Sequence, residues 1–101
     1  MTHTEWVKLS EKEKKKAAKG MSKWLINNLQ IQLVVKERII KNHEEIKEIG
    51  DIHEIEKSEM ILKKLYPLRQ KLKDQIRSIE ENKSPAWIQM NFYKIIGEFS
   101  L

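Results

Sequence analysis

The sequence predicts an all-α protein: a long antiparallel, coiled-coil-like helical hairpin with shorter N- and C-terminal helices completing a small bundle. Three observations carry this expectation. Apolar residues recur at alternating three- and four-residue spacing through two long stretches, as in helices that bury one face. Only three glycines and two prolines punctuate the 101 residues, whereas a sheet protein needs turn residues about every eight to twelve positions. One Gly-Asp pair, Gly50-Asp51, lies where the two patterned stretches meet. A chain of this length supports one modest core, so a single helical domain over residues 1–101 is expected.

A basic N-terminal helix is expected over residues 10–19. Ser10-Glu11-Lys12-Glu13 has the form of a capping box, in which the Ser hydroxyl accepts from the N3 amide and Glu13 reaches back to the cap amide. Trp6, Val7 and Leu9 precede it as a candidate earlier turn. Gly20 follows a run of good helix formers and would cost about 1 kcal/mol relative to Ala if the helix continued through it. Whether it ends the helix is left open by the sequence.

The first arm of the hairpin is expected over residues 21–49. Met21, Leu25, Asn28, Gln32, Val35, Ile39, Asn42, Ile46 and Ile49 form its seam, with polar residues at three sites. Leu29, Ile31, Leu33, Val34 and Ile40 add apolar surface on other faces, so this helix is expected to be covered on more than one side. Leu29, Ile31, Leu33 and Val35 also alternate as a strand would, but no second segment alternates well enough to pair with them.

Gly50 and Asp51 supply a C-terminus for the first arm and an N-terminal cap for the second, so the chain should reverse there. The second arm, residues 52–82, carries a seam of Ile55, Ser58, Leu62, Leu65, Arg69, Leu72, Ile76 and Ile79, widened by Ile61 and Leu68. Pro67 removes a backbone donor inside it and disfavours α geometry at Tyr66, so a kink or short break is expected there. Ser84-Pro85 then reads as a cap followed by proline at the first helical position. The resulting apolar C-terminal helix, residues 85–97, holds Trp87, Ile88, Phe92, Ile95 and Ile96, with Gly97 as its expected end.

Charge is unevenly placed. The net charge is +5, yet residues 42–59 hold seven acidic and two basic side chains. Folding back at Gly50 would put an acidic tip at one end and basic segments at the other. The basic end, with Lys12, Lys14, Lys15, Lys16, Lys19, Lys23, Lys71, Lys73 and Arg77, suits a phosphate backbone or the acidic tip of a second copy. Lysine rather than arginine dominates, which argues against bidentate recognition.

No residue pattern points to chemistry. There is no cysteine, which excludes disulfides and thiolate sites and suits a reducing compartment. His43-Glu44-Glu45 and His53-Glu54-x-Glu56 gather imidazoles and carboxylates near the turn, but without the HExxH or ExxH spacing of helical metal sites. The glycines are isolated, so no phosphate-cradling loop is present, and Ser10 and Ser84 read as caps. No catalytic, cofactor or metal site is therefore expected. No apolar run approaches a membrane span of about 18 to 20 residues, and no secretory leader pattern opens the chain. A cytoplasmic, soluble protein with no membrane role is the expectation.

These features favour a non-enzymatic helical interaction protein, a small regulator, adaptor or inhibitor that binds a protein partner. Trp6, Trp87, Phe92, Tyr93 and Phe99 are its candidate contacts; Trp24 and Trp87 sit in apolar helical stretches and are assigned chiefly to packing. Excess apolar surface also predicts a homodimer. The alternative is a DNA- or RNA-binding accessory protein, with Lys14, Lys15, Lys16, Lys19 and Lys23 as phosphate contacts.

Overall fold

The computed structural model describes residues 2–82 and 84–101. Among these there are four helices and no strand: α1 (His3–Val7), α2 (Glu11–Ile49), α3 (Ile52–Glu81) and α4 (Pro85–Phe99). The long helices α2 and α3 pack against each other and α4 packs on α2, so the all-α hairpin with short terminal helices is the fold of this chain. The strand-like alternation at Leu29–Val35 lies wholly within α2.

Two breaks that the sequence left open do not form, and one expected helix end is passed. The segments 10–19 and 21–49 form one helix through Gly20. The glycine costs about 1 kcal/mol in a helix interior, whereas burying a leucine side chain contributes about 1.5–3 kcal/mol. Ala18, Leu25 and Leu29 are all buried on this helix, so packing outweighs the glycine. Helix α3 likewise runs through Pro67. Pro67 and Lys63 are both exposed, so the Lys63 carbonyl that lacks its helical donor can turn to water.

Helix α4 passes Gly97 and ends at Phe99. Ser100 adopts a left-handed conformation (φ 53°), and both its N–H and that of Leu101 donate to the Ile96 carbonyl. At the other end, Ser84 has the extended geometry of an N-cap, with Pro85 following, but its hydroxyl makes no capping hydrogen bond.

Capping at the N-terminus also differs from expectation. The full capping box is Thr2 with Glu5: the Glu5 N–H donates to Thr2 Oγ1 and the Thr2 N–H to Glu5 Oε2, each at 3.2 Å. At Ser10 only half of the motif forms. Its Oγ accepts from the Glu13 N–H at 3.2 Å, but the Glu13 carboxylate takes the Ser10 hydroxyl at 2.9 Å instead of the backbone amide. A five-residue helix is far below the length at which helices hold in water; α1 persists because it is capped and buries Trp6.

The chain divides into two compact units, Met1–Leu29 with Ile76–Leu101, and Gln30–Gln75. In the first, Trp6, Ala18, Leu25, Leu29, Ile76, Ile79, Ile88 and Ile95 are buried. In the second, Ile40, Leu62 and Leu65 form a core against which Ile39 and Ile61 pack. Here the helices reverse at Gly50, whose N–H reaches the Ile46 carbonyl at 2.7 Å, and Asp51 Oδ1 caps the Glu54 N–H at 2.9 Å. The reversal uses no left-handed glycine.

Every expected seam residue of α3 is buried or half-buried, whereas on α2 this holds for six of the nine expected positions, Met21, Leu25, Asn28, Gln32, Ile39 and Ile46. Leu29 and Ile40, expected on other faces, are fully buried, while Val35, Asn42 and Ile49 are exposed. The inward stripe continues through half-buried Lys36 and His43. Polar side chains there hide the rhythm: a lysine stem lies along apolar surface while its ammonium stays wet.

Candidate functional site

The first unit carries the most distinctive surface. Trp24 on α2 and Phe92 on α4 place their ring centroids 5.7 Å apart with planes tilted by 49°. Phe92 in turn meets Tyr93 edge-on at 5.2 Å. Such tilted and edge contacts suit the ring quadrupoles. Half of this cluster faces water, since Trp24 is 43% and Tyr93 57% exposed.

The cluster ends a groove of about 710 Å³ lined by Leu9, Ala17, Gly20, Met21, Trp24 and Phe92, with Glu13 and Lys16 as its charged edges. The α2 positions succeed one another along one face, so the groove runs along the helix axis for about three turns, or roughly 16 Å. Ala17 and Gly20 keep its middle open. A Cβ built on Gly20 would meet nothing within 4 Å.

A second cavity in this unit, of about 420 Å³, lies among Ala18, Ser22, Ile26, Ile79, Pro85 and Ile88, with Lys15, Lys19, Glu80 and Asn82 at its polar margin.

The residues nominated from sequence separate. Phe92 and Tyr93 join the aromatic cluster. Trp6 is only 5% exposed and is core. Trp87 and Phe99 are half-buried. Trp24, assigned to packing, instead walls the groove. Its exposure is a matter of helix phase, which apolar neighbours alone do not reveal.

Among the nominated lysines, Lys14 is half-buried, with its ammonium 3.7 Å from Glu11 Oε1. Lys15, Lys16, Lys19 and Lys23 are exposed, as is Lys12.

Polar contacts also link the helices of the second unit. His43 Nδ1 lies 3.0 Å from Ser58 Oγ, a side chain only 2% exposed. Lys73 Nζ approaches Glu37 Oε1 at 3.8 Å with both partners near half exposure, an arrangement that contributes little in water. Tyr66 has its phenol raised above the ordinary tyrosine value, first by partial loss of water and then by the Glu44 carboxylate beside it, which it also hydrogen-bonds; Arg69 opposes the shift. The Arg69 guanidinium sits over the same ring, 5.1 Å from its centroid.

Among the described residues no group of three or more His, Asp and Glu side chains is placed to hold a metal ion. No described helix is long and apolar enough to cross a membrane. No known family model matches this chain, and no match to it was found among characterised proteins or solved structures.

Proposed function

We propose that this protein is a non-enzymatic interaction module that takes a helical segment of a protein partner into the groove of its first unit. The carrying observation is the groove itself, lined by the aromatic pair Trp24 and Phe92, by Leu9 and Met21, and by the small Ala17 and Gly20. A channel of about three helical turns, floored by small residues, accommodates an amphipathic helix that inserts aliphatic anchors at i, i+3 or i+4, and i+7. Aromatic residues at the edge of such a pocket supply large contact area with few rotors to immobilise.

Selection from a library of helical peptides tests this reading. Amphipathic sequences with regularly spaced aliphatic anchors should be enriched, and should bind at least about tenfold more weakly to Gly20→Leu, whose side chain fills the groove where a Cβ meets no neighbour. Recovery of no helical binder, or binding indifferent to Gly20→Leu, would overturn it.

Self-association belongs to the same reading. Ile31, Val34 and Val35 are exposed on α2 at spacings that put them on one helical face, and a second copy would cover them. Light scattering at tens of micromolar should return a dimer mass that falls towards the monomer in Val34→Lys; a wild-type monomer at that concentration refutes it.

A further inference from the structure

We infer that the exposed lysine face of α2 is a binding surface for the phosphate backbone of double-stranded nucleic acid. At about 100° per residue, Lys12, Lys15, Lys16, Lys19 and Lys23 fall within an arc of about 100°, and every residue in that arc from 12 to 23 is lysine. All five are exposed, and none has an ion-pair partner among the described residues.

On α2 itself the neighbouring carboxylates lie off this face and are engaged elsewhere. Glu11 approaches Lys14, and Glu13 accepts from Ser10. Glu80 of α3 shares a cavity margin with Lys15 and Lys19 but forms no ion pair with either, so among the described residues five lysines face a single carboxylate. The positive field is therefore reduced near Lys15 and Lys19 but stays net positive along the face.

Charge density selects the partner. From Lys12 to Lys23 the helix rises roughly 16 Å, so the face presents one positive charge per about 3 to 4 Å. One strand of a duplex presents a negative charge per about 3.4 Å along its axis. An acidic helix would reach that density only if carboxylates filled a comparable arc as completely as the lysines fill this one, whereas a duplex presents it along its whole length whatever its sequence. Lysine supplies point charges without the planar fork that reads base edges, so the surface tracks the backbone and carries no sequence preference of its own.

The test is the salt dependence of binding to a DNA duplex of about two helical turns, measured by fluorescence anisotropy with the full chain. Five phosphate contacts give a slope of log K against log salt of about −4.5, or about 500-fold weaker binding at 200 mM than at 50 mM salt. Substituting Lys15→Gln and Lys19→Gln together should reduce the slope to about −2.7 and the loss to about 40-fold. Both positions are exposed, and circular dichroism verifies that helicity is kept. A control pair, Lys63→Gln with Lys64→Gln on α3, should leave the slope unchanged. Absence of binding at 50 mM salt overturns the inference, as does an equal slope change in the control pair, which would indicate diffuse attraction to net charge. Tighter binding to polyglutamate than to the duplex also overturns it, in favour of an acidic protein partner. Lys16 is left intact throughout because it also edges the groove, so failure here leaves the peptide-binding reading standing.

Discussion

His43 on α2 and Ser58 on α3 join their helices through a 3.0 Å contact between the imidazole Nδ1 and the serine hydroxyl. Among the described residues Ser58 is the buried polar side chain in an otherwise apolar core, and a buried hydroxyl is tolerated when it finds such a partner. The pair lies in the same unit as the Ile40, Leu62 and Leu65 core, and fixes which residues face each other there.

Ser58→Ala should therefore lower stability by about 1 kcal/mol, because half-buried His43 loses its partner. A double-mutant cycle with His43→Ala, monitored by urea denaturation, should return a coupling of about 0.5–1.5 kcal/mol. Additive effects would mean that the contact contributes nothing.

The glycines should respond with opposite signs. Gly97 is exposed inside α4 and a Cβ there meets nothing within 4 Å, so Gly97→Ala should stabilise by up to about 1 kcal/mol through helix propensity. At Gly50 a Cβ would come 2.7 Å from the Ile46 carbonyl oxygen and 3.1 Å from Glu54 Cβ. Gly50→Ala should cost about 1–3 kcal/mol as the turn shifts to admit it. Thermal unfolding distinguishes the two, and a stabilising Gly50→Ala would contradict the close approach.

Tryptophan substitutions should rank by burial. Trp6→Ala removes a 5% exposed indole and should cost about 3–5 kcal/mol. Trp24→Ala should cost markedly less, since 43% of the residue already meets solvent. Acrylamide quenching gives an independent check: Trp24 should be the more accessible of the two when each is kept as the single tryptophan.

Tyr66 should make the chain sensitive to strong alkali. Its pKa is raised in the folded state, so folding holds the phenolic proton more tightly. That contribution is fully present below the unfolded value of about 10 and is lost as pH rises through the folded value. With the residue 38% exposed, the effect on stability should be small. Ultraviolet titration should place the Tyr66 midpoint lower in Glu44→Gln than in the parent chain, and an unchanged midpoint would remove Glu44 as a cause.

The helical class, the reversal at Gly50 and the α3 seam were legible because each rests on local rules: periodicity, turn residues and caps act within a few positions. The α3 seam reads correctly since its inward positions are mostly aliphatic. On α2 the inward stripe also includes Lys36 and His43, so a count of apolar residues placed most of the seam but sent Val35 inward in their stead. The Thr2–Glu5 capping box is present in the sequence as T-x-x-E, yet the motif at Ser10, ahead of a longer helical run, obscured it.

What the sequence by itself determined is the set of helices and the concentration of lysines in residues 12–23. What tertiary structure decided is which faces remain outside. Gly20, Pro67 and Gly97 do not end helices because packing of their neighbours outweighs local penalties of order 1–3 kcal/mol. Trp6 enters the core and Trp24 becomes a groove wall because helix phase is set by contacts between segments distant in the chain. Local propensity cannot carry that information, since burial is a property of the surface a partner covers.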